Sequence, residues 1–178
     1  RQVLVEHAHF NNDVSRAHIL SLLLRASEQH AIPVVNYNDA VAVEELRKTE
    51  LSNLAKEGKN TVELVDNDET AAQIACLTGA KRLLILSTLD GVYRDIGDPS
   101  SLITEITGTK EEVLNKIDEY KAMCRGASRR GAGGAAAKLE YIKPCVRAGI
   151  DVVIGSASHD IRNVLSGAVP RTFISARG

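Results

Sequence analysis

Short apolar runs alternate with longer segments of mixed polarity along this chain of 178 residues. Runs at Gln2–Val5, 34–35, 82–86 and 151–154 predict β-strands. The third is nearly continuous in apolar residues, which is typical of a parallel strand buried on both faces. Since the intervening segments are long enough for helices, the pattern favours a parallel sheet covered by helices.

Capping and stop signals predict the helices between these strands. A first helix begins near residues 11–13 and carries four apolar side chains towards a core: Ile19, Leu20, Leu23 and Leu24. A second helix spans 69–77 and stops at Gly79. Thr109 and Glu112 form a capping box for a third helix, which runs to about Tyr120. A short final helix is predicted over 158–165, with Ser158 or Asp160 as its cap.

Residues 125–140, RGASRRGAGGAAAKLE, are rich in glycine and lead into good helix formers. Glycine lets backbone amides approach an anion closely, and amides at a helix start point towards negative charge. Lys138 would add a mobile positive charge within the first turn. The stretch therefore predicts a phosphate-binding loop, with a flexible loop that caps an ordinary helix as the simpler alternative.

The same stretch is not a Walker P-loop, because Ala132 follows Gly131 where that motif requires lysine. A Rossmann fingerprint is also absent, since the glycines lack its spacing. Pro144 interrupts the helix that follows the loop, so we expect a kink near Glu140.

Composition narrows the function classes. A net charge of -1, 3% aromatic residues and no Trp argue against a nucleic-acid partner. No apolar run approaches the roughly 20 residues of a membrane span, so we expect a soluble, cytoplasmic protein without a membrane partner.

Cys76, Cys124 and Cys145 lack C-x-x-C spacing and predict reduced thiols that fill the core. His7 and His9 would share one face of a strand, but without a third ligand a metal site is the weaker interpretation.

Polar clusters occur at three further places: N-Y-N-D at 36–39, D-N-D at 66–68 and S-T-L-D-G at 87–91. Asn and Asp are common in turns and caps, so each cluster alone has an ordinary structural explanation. In parallel sheets, however, ligands bind outside the carboxyl ends of the strands. The coincidence of these clusters with the glycine-rich stretch predicts a site for a small zwitterion beside a site for phosphates.

Five motifs in this order resemble the amino acid kinase family, and within it the glutamate 5-kinases. They read IPVVNYNDAVA, VDNDETAA, LILSTLDGVY, GAGGAAAKLE and RAGIDVVIGS, in a resemblance that extends from about Gln2 to Phe173. The resemblance implies an α/β fold, a three-layer α/β/α sandwich with a mainly parallel open sheet. It also implies that 1–178 is the C-terminal portion of a single amino acid kinase domain, incomplete at its amino end.

The implied reaction is the ATP-dependent phosphorylation of the γ-carboxylate of L-glutamate, the first step of proline biosynthesis, with Mg²⁺ carried by the nucleotide. Four residues match glutamate contacts of the family: Asn36, Asp39, Asp66 and Asn67. Asp68 matches the acidic residue that organises the catalytic lysines. The remaining matches are nucleotide contacts: Ser87, Thr88, Ala132, Gly133, Gly134, Ala135, Ala136, Ala137 and Lys138. Lys138 matches the lysine that stabilises charge on the transferring phosphoryl group.

The chain also departs from the family. Thr88 stands where the family has Asp, and Ala132, Ala135 and Ala137 replace hydroxyl or thioether residues. The amino-terminal motif K-x-G-[ST]-S is absent, so we expect this chain alone to be inactive. Two alternatives stay open: a non-catalytic nucleotide or amino-acid binding module, or a kinase acting on acetylglutamate, aspartate or a nucleoside monophosphate.

Two further expectations concern assembly and motion. The resemblance implies a homo-oligomer. The charged segment 44–59 contains few apolar residues and lies between two substrate-matching motifs. We therefore predict a mobile flap over the amino-acid site, with a packed surface helix as the alternative.

Overall fold

The computed structural model describes residues 2–38, 67–123 and 134–177. The chain divides into two compact units, Arg1–Thr70 and Ala71–Gly178. Several predicted features lie outside the described residues: the flap at 44–59, Asp39, Asp66, Cys124 and the loop residues Ala132 and Gly133.

The amino-terminal unit contains a parallel β-α-β arrangement. Strand β1 (Gln2–Val5) pairs in parallel with strand β2 (Val34–Tyr37). Between them lie helix α1 (His7–Phe10) and helix α2 (Asp13–Glu28). The two predicted strands are thus confirmed, and Val5 and Tyr37 at their ends are buried.

Helix α2 begins as its capping signal predicts, because the Asn12 side chain accepts a hydrogen bond from the Ser15 amide at 3.0 Å. Its buried positions are Ile19, Leu23 and Ala26. Leu24 is 51% exposed, so its predicted place in the core is wrong. The buried stripe follows i, i+4 and i+7, and a helix of 3.6 residues per turn leaves position 24 off that stripe.

The two histidines at the start of the chain are not on a strand. Residues 7–10 form α1, and the His9 Nδ1 accepts a hydrogen bond from the Glu6 amide at 3.0 Å. The strand geometry that would have placed both imidazoles on one face is therefore wrong. His9 instead helps to satisfy a backbone donor at the start of a helix.

The remaining strands belong to the carboxy-terminal unit: β3 (Arg82–Ser87), β4 (Val92–Tyr93), β5 (Leu102–Ile103), β6 (Glu105–Gly108), β7 (Asp151–Ser156) and β8 (Arg171–Ala176). Four of them form a sheet in the order β3-β7-β8-β6. The β3–β7 and β6–β8 pairs are parallel, and β7–β8 is antiparallel. The short strands β4 and β5 form a separate antiparallel pair.

The remaining helices are α3 (Asn67–Thr78), α4 (Lys110–Met123), α5 (Ala135–Tyr141), α6 (Lys143–Arg147) and α7 (Ile161–Ser166). The predicted capping box of α4 is present. The Thr109 amide donates to Glu112 Oε2 at 2.7 Å, and the Glu112 amide donates to Thr109 Oγ1 at 3.3 Å. The predicted kink is also present, since α5 and α6 separate at Ile142 and Pro144 occupies the first turn of α6.

Helices cover both faces of the four-stranded sheet. Val152 and Ile154 of β7 join a buried cluster with residues of α3, α4, α5 and α6. Gly155 points to the opposite face, because a Cβ there would lie 2.5 Å from Val164 Cγ1 of α7. This arrangement gives the carboxy-terminal unit a helix layer on each side of its sheet.

Two elements differ from the sequence prediction. Strand β3 is not buried on both faces, since Leu83 and Ile85 are buried whereas Leu86 is 40% exposed. Helix α7 starts at Ile161 with Asp160 as its cap, and β8 follows it, so it is not the last element.

None of the helices within the described ranges combines the length and apolar character needed to span a membrane.

Candidate functional site

The carboxyl ends of β3 and β7 lie side by side. Ser87, the last residue of β3, is opposite Ser156 of β7. The ladder continues one step further, because the Ala157 amide donates to the Ser87 carbonyl at 2.8 Å. Segments 88–91 and 157–160 therefore leave the sheet at one edge. This is the edge at which parallel α/β sheets bind ligands.

Asp90 and His159 connect the two segments at this edge. The Asp90 Oδ1 and His159 Nε2 atoms are 3.1 Å apart, and each side chain is about one third exposed. The Tyr93 hydroxyl approaches the other carboxylate oxygen at 3.5 Å. Burial, with the adjacent Asp90 charge as a second cause, raises the pKa of Tyr93. Tyr93 is therefore a neutral donor facing Asp90.

Two serines shape the chain after β7. The hydroxyls of Ser156 and Ser158 are 2.8 Å apart, and the Ser158 amide donates to Ser156 Oγ at 3.2 Å. Ser156 is only 4% exposed. These bonds form a tight turn directly before His159 and fix the point at which it leaves the sheet.

Thr172 of β8 anchors the chain after Asp90. Its hydroxyl accepts from the Val92 amide at 2.8 Å and donates to the Ile103 carbonyl at 2.6 Å. Thr172 is fully buried. Gly91 packs against it so closely that a Cβ would lie 2.8 Å from the Thr172 nitrogen. A residue without a side chain is therefore required at Gly91.

Helix α5 starts directly after the glycine-rich stretch. Gly134 is its N-cap, with no side-chain capping bond, and its carbonyl accepts from the Ala137 and Lys138 amides at 2.9 and 3.1 Å. Lys138 lies one turn into the helix and is partly exposed. The predicted helix is thus confirmed, and its amino end carries backbone donors without a side-chain acceptor at the cap.

A cluster of four charged residues holds α5 and α6 against α4. Lys143 is 9% exposed, and its Nζ lies 2.6 Å from Asp118 Oδ1 and 2.9 Å from Glu140 Oε2. Lys121 also contacts both carboxylates. Hydrogen bonds from these lysines lower the pKa values of Asp118 and Glu140, and the bond to Asp118 raises that of Lys143. Glu140 lies two residues after Lys138, so the cluster fixes the helix that carries Lys138.

The residues predicted to contact the substrate belong to the amino-terminal unit. Asn36 is an exposed residue of β2, opposite Leu4 of β1. Asn67 is the exposed first residue of α3, and Asp68 follows it in the first turn, partly buried. Asn38, which had no predicted role, donates from its amide to Glu6 Oε1 at 3.0 Å. This bond ties the end of β2 to the end of β1.

Sequence reasoning found the S-T-L-D-G segment but missed its partner. His159 has no role among the sequence predictions, because its contact with Asp90 depends on the adjacency of β3 and β7. The S-H-D sequence, which begins two residues after the end of the buried strand β7, is the signal that marks this position. Within 2–38, 67–123 and 134–177, no group of three His, Cys, Asp or Glu side chains could hold a metal ion.

The model of the amino acid kinase family matches residues 1–156. A glutamate 5-kinase from Clostridium perfringens is 27% identical over 181 residues, covering 99% of this chain and 61% of the relative. One from Carboxydothermus hydrogenoformans is 34% identical over 158 residues, covering 88% of this chain and 36% of the relative. The chain thus spans less than two thirds of the length of these curated relatives.

Solved structures show the same fold. A UMP kinase from Ureaplasma parvum has a TM-score of 0.52 at 16% identity, over 88% of this chain and 52% of that chain. A crystal structure from Aeropyrum pernix K1 has a TM-score of 0.54 at 21% identity, over 89% and 45%. These likenesses confirm the predicted fold class, a three-layer α/β/α sandwich with a mainly parallel sheet. The chain belongs to the amino acid kinase family.

Proposed function

We propose that the complete protein containing this chain transfers the γ-phosphoryl group of ATP to the γ-carboxylate of L-glutamate. The product is glutamyl 5-phosphate, and the reaction opens proline biosynthesis. The observation that carries the proposal is the polar edge after β3 and β7, where Ser87 and Thr88 leave the sheet beside Ser156 and His159. The names of the relatives, glutamate 5-kinase, support the choice of acceptor.

The proposed nucleotide site uses the S-T-L-D-G segment and the start of α5. Ser87 and Thr88 would contact the nucleotide, and residues 132–137 would direct backbone amides at its phosphates. The uncapped amino end of α5 supports this role, because the amides before Ala137 lie ahead of the first helical hydrogen bond, whereas the Ala137 and Lys138 amides already donate to the Gly134 carbonyl. Lys138 would stabilise the charge that develops on the transferring phosphoryl group. Mg²⁺ would arrive with the nucleotide and neutralise its phosphate charge.

The proposed glutamate site uses two polar clusters. Asn36, Asp39, Asp66 and Asn67 would hold the substrate, with carboxylates receiving its ammonium group. Asp68 would organise the catalytic lysines. Phosphoryl transfer asks mainly for positioning and electrostatic stabilisation, which amides, carboxylates and lysines supply without a covalent intermediate.

A non-catalytic nucleotide or amino-acid binding module is the second candidate. Thr88 in place of the family's Asp, and the alanines at 135 and 137, are the features that favour it. A kinase for acetylglutamate, aspartate or a nucleoside monophosphate is a third candidate. The cytoplasmic location and the homo-oligomer also remain proposals.

An acyl phosphate assay on the complete protein separates these candidates. Glutamyl 5-phosphate reacts with hydroxylamine to give a coloured hydroxamate, so ATP, Mg²⁺ and each acceptor are incubated with hydroxylamine. We expect hydroxamate with L-glutamate and much less with acetylglutamate or aspartate, and no ADP release with a nucleoside monophosphate. ATP binding without turnover of any acceptor would support the binding module and contradict the kinase.

The requirement for the ammonium group is measured separately by thermal unfolding. L-glutamate should raise the midpoint temperature, because its ammonium group can pair with a carboxylate such as Asp39 or Asp66. Glutarate has both carboxylates but no amine and should protect little. Equal protection by the two ligands would refute the assignment of these clusters.

A further inference from the structure

Two thiols from distant parts of the chain touch inside the carboxy-terminal unit. Cys76 lies in α3 and Cys145 lies in α6, and their Sγ atoms are 3.8 Å apart across 69 positions of sequence. Both are free cysteines. Neither has a role in the proposed phosphoryl transfer, so that reaction does not explain their contact.

The two thiols differ in their access to solvent. Cys145 is fully buried, and its Sγ donates to the Ala72 carbonyl of α3 at 3.6 Å. Burial, with Cys76 as a second cause, raises the pKa of Cys145 to about 12. Cys76 is only partly buried and packs at the margin of the core. A reagent from solvent therefore meets Cys76 first.

Two thiols in contact can bind a metal ion or be oxidised to a disulfide. A metal site requires at least a third ligand, and within the described residues no third His, Cys, Asp or Glu side chain joins the pair. A disulfide requires the sulfurs to close to about 2.05 Å, an approach of roughly 1.8 Å from their separation of 3.8 Å. Rotation of either side chain about its Cα–Cβ bond moves the sulfur by more than that.

We propose that Cys76 and Cys145 form a reversible oxidation site, which hydrogen peroxide converts into an intramolecular disulfide. The contact between the sulfurs and the Ala72 hydrogen bond hold the second thiol directly beside the first. The proposal is independent of the proposed function, since it needs neither ATP nor glutamate.

The oxidation balances in two steps. The Cys76 thiolate attacks a peroxide oxygen, so that an S–O bond forms, the O–O bond breaks and the released hydroxide leaves as water. The Cys145 sulfur then attacks the Cys76 sulfur, forming the S–S bond and breaking the S–O bond. The leaving hydroxide takes the Cys145 proton as a second water. The two thiols lose two electrons, and the peroxide is reduced to two waters.

The disulfide would join α3 to α6 and close a loop of 69 positions. Such a link restricts the unfolded chain, so the oxidised protein should be more stable than the reduced one. Because the thiols already touch, the native packing changes little. We expect a midpoint temperature higher by roughly 5 to 15 °C.

Peptide mapping of the complete protein tests the site. The protein carries Cys124→Ser, so that the third cysteine cannot compete, and is treated with hydrogen peroxide and then alkylated and digested without reductant. We expect one cross-linked peptide containing Cys76 and Cys145, lighter by two hydrogen atoms than the sum of its parts. Dithiothreitol should reverse both the cross-link and the rise in midpoint temperature.

A matched variant, Cys145→Ala, tests whether the oxidation product of Cys76 depends on the second thiol. In Cys145→Ala, Cys76 should pass on to sulfinic acid or be trapped as sulfenic acid by dimedone, whereas in the protein with both thiols it should not. Thermal unfolding under reducing conditions verifies that this variant is folded. The proposal would be overturned if, in the protein with both thiols, Cys76 were recovered as sulfinic acid while Cys145 could still be alkylated. An unchanged or lower midpoint temperature on cross-linking would overturn the stabilisation.

Discussion

Asp90 and His159 link the two chain segments that leave the carboxyl edge of the sheet, with 3.1 Å between Asp90 Oδ1 and His159 Nε2. The residues are 69 positions apart in sequence and meet only because β3 and β7 are adjacent. Asp90 lies two residues after Thr88, so the bond restrains the segment expected to contact the nucleotide. Val92, on the other side of Asp90, is held by Thr172.

We expect His159→Ala to raise the KM for ATP of the complete protein roughly three- to tenfold, which corresponds to about 1 kcal/mol for a partly exposed charged hydrogen bond. The kcat should change little if His159 acts only through Asp90, by restraining the segment. Steady-state kinetics with ATP varied at saturating glutamate measure the two effects. His159→Gln can still donate to Asp90 and should restore most of the wild-type KM. An unchanged KM in His159→Ala would show that the pair does not restrain the nucleotide segment.

Lys138 should act on turnover more than on binding. Charge on the phosphoryl group develops in the transition state, so we expect Lys138→Ala in the complete protein to lower kcat by roughly 100-fold or more. The KM for glutamate should change by less than about threefold. Hydroxamate formation at varied glutamate separates the two constants.

The matched control for Lys138 is Lys81, an exposed lysine at the amino-terminal end of β3. Its loss leaves the carboxyl edge of the sheet unchanged, so Lys81→Ala should keep wild-type kcat. Near wild-type turnover in Lys138→Ala would remove Lys138 from the mechanism.

Local signals predicted much of the carboxy-terminal unit. The capping box at Thr109 and Glu112 placed the start of α4, and Pro144 placed the break between α5 and α6 within two residues. The apolar runs at 82–86 and 151–154 identified β3 and β7. In each case the physical cause lies within a few residues of sequence.

Other features depend on contacts between distant residues and left no local signal. Strands β4 and β5 have two residues each, too few for a period, and are held by the Thr172 hydroxyl from β8. Strand β8 was missed because its alternating residues follow what resembled a final helix. Strand β8 pairs with β7 in antiparallel orientation, and the pattern of apolar positions does not reveal which strands are neighbours in the sheet. The Asp90–His159 contact was missed for the same reason.

Gly91→Ala should destabilise the protein, because the added Cβ would lie 2.8 Å from the Thr172 nitrogen and still closer to its hydroxyl. Either the Val92 bond to Thr172 or the local backbone must shift, and we expect a loss of about 2 to 3 kcal/mol in the free energy of unfolding. Urea denaturation of the complete protein measures it. Gly97→Ala is the control, since its Cβ would meet only the Asp95 side chain, at 3.3 Å or more, and should change stability by less than about 1 kcal/mol. Equal stability of the two variants would contradict the close packing at Gly91.

The charged cluster around Lys143 should make stability depend on pH in the acid range. Bonds from Lys143 and Lys121 lower the folded-state pKa values of Asp118 and Glu140 below their ordinary values of 3.8 and 4.5. A lowered carboxylate pKa contributes stability that is fully present above the ordinary value and is lost as the pH falls through the folded value. The raised pKa of Lys143 keeps its own contribution intact up to its ordinary value of 10.5, as long as Asp118 and Glu140 are ionised.

Lys143→Met keeps the buried stem of the side chain and removes the charge, which tests this dependence directly. The difference in unfolding free energy between wild type and Lys143→Met should be constant from about pH 7 to about pH 5. Below 4.5 it should shift against the wild type, because protonated Asp118 and Glu140 leave the Lys143 charge nearly buried without an anionic partner. Urea denaturation between about pH 7 and pH 3 measures the difference, with the exposed Lys110→Met on the same helix α4 as a control that should show a smaller shift. If the curves of wild type and Lys143→Met stayed parallel down to about pH 3, the cluster would not be a source of acid sensitivity.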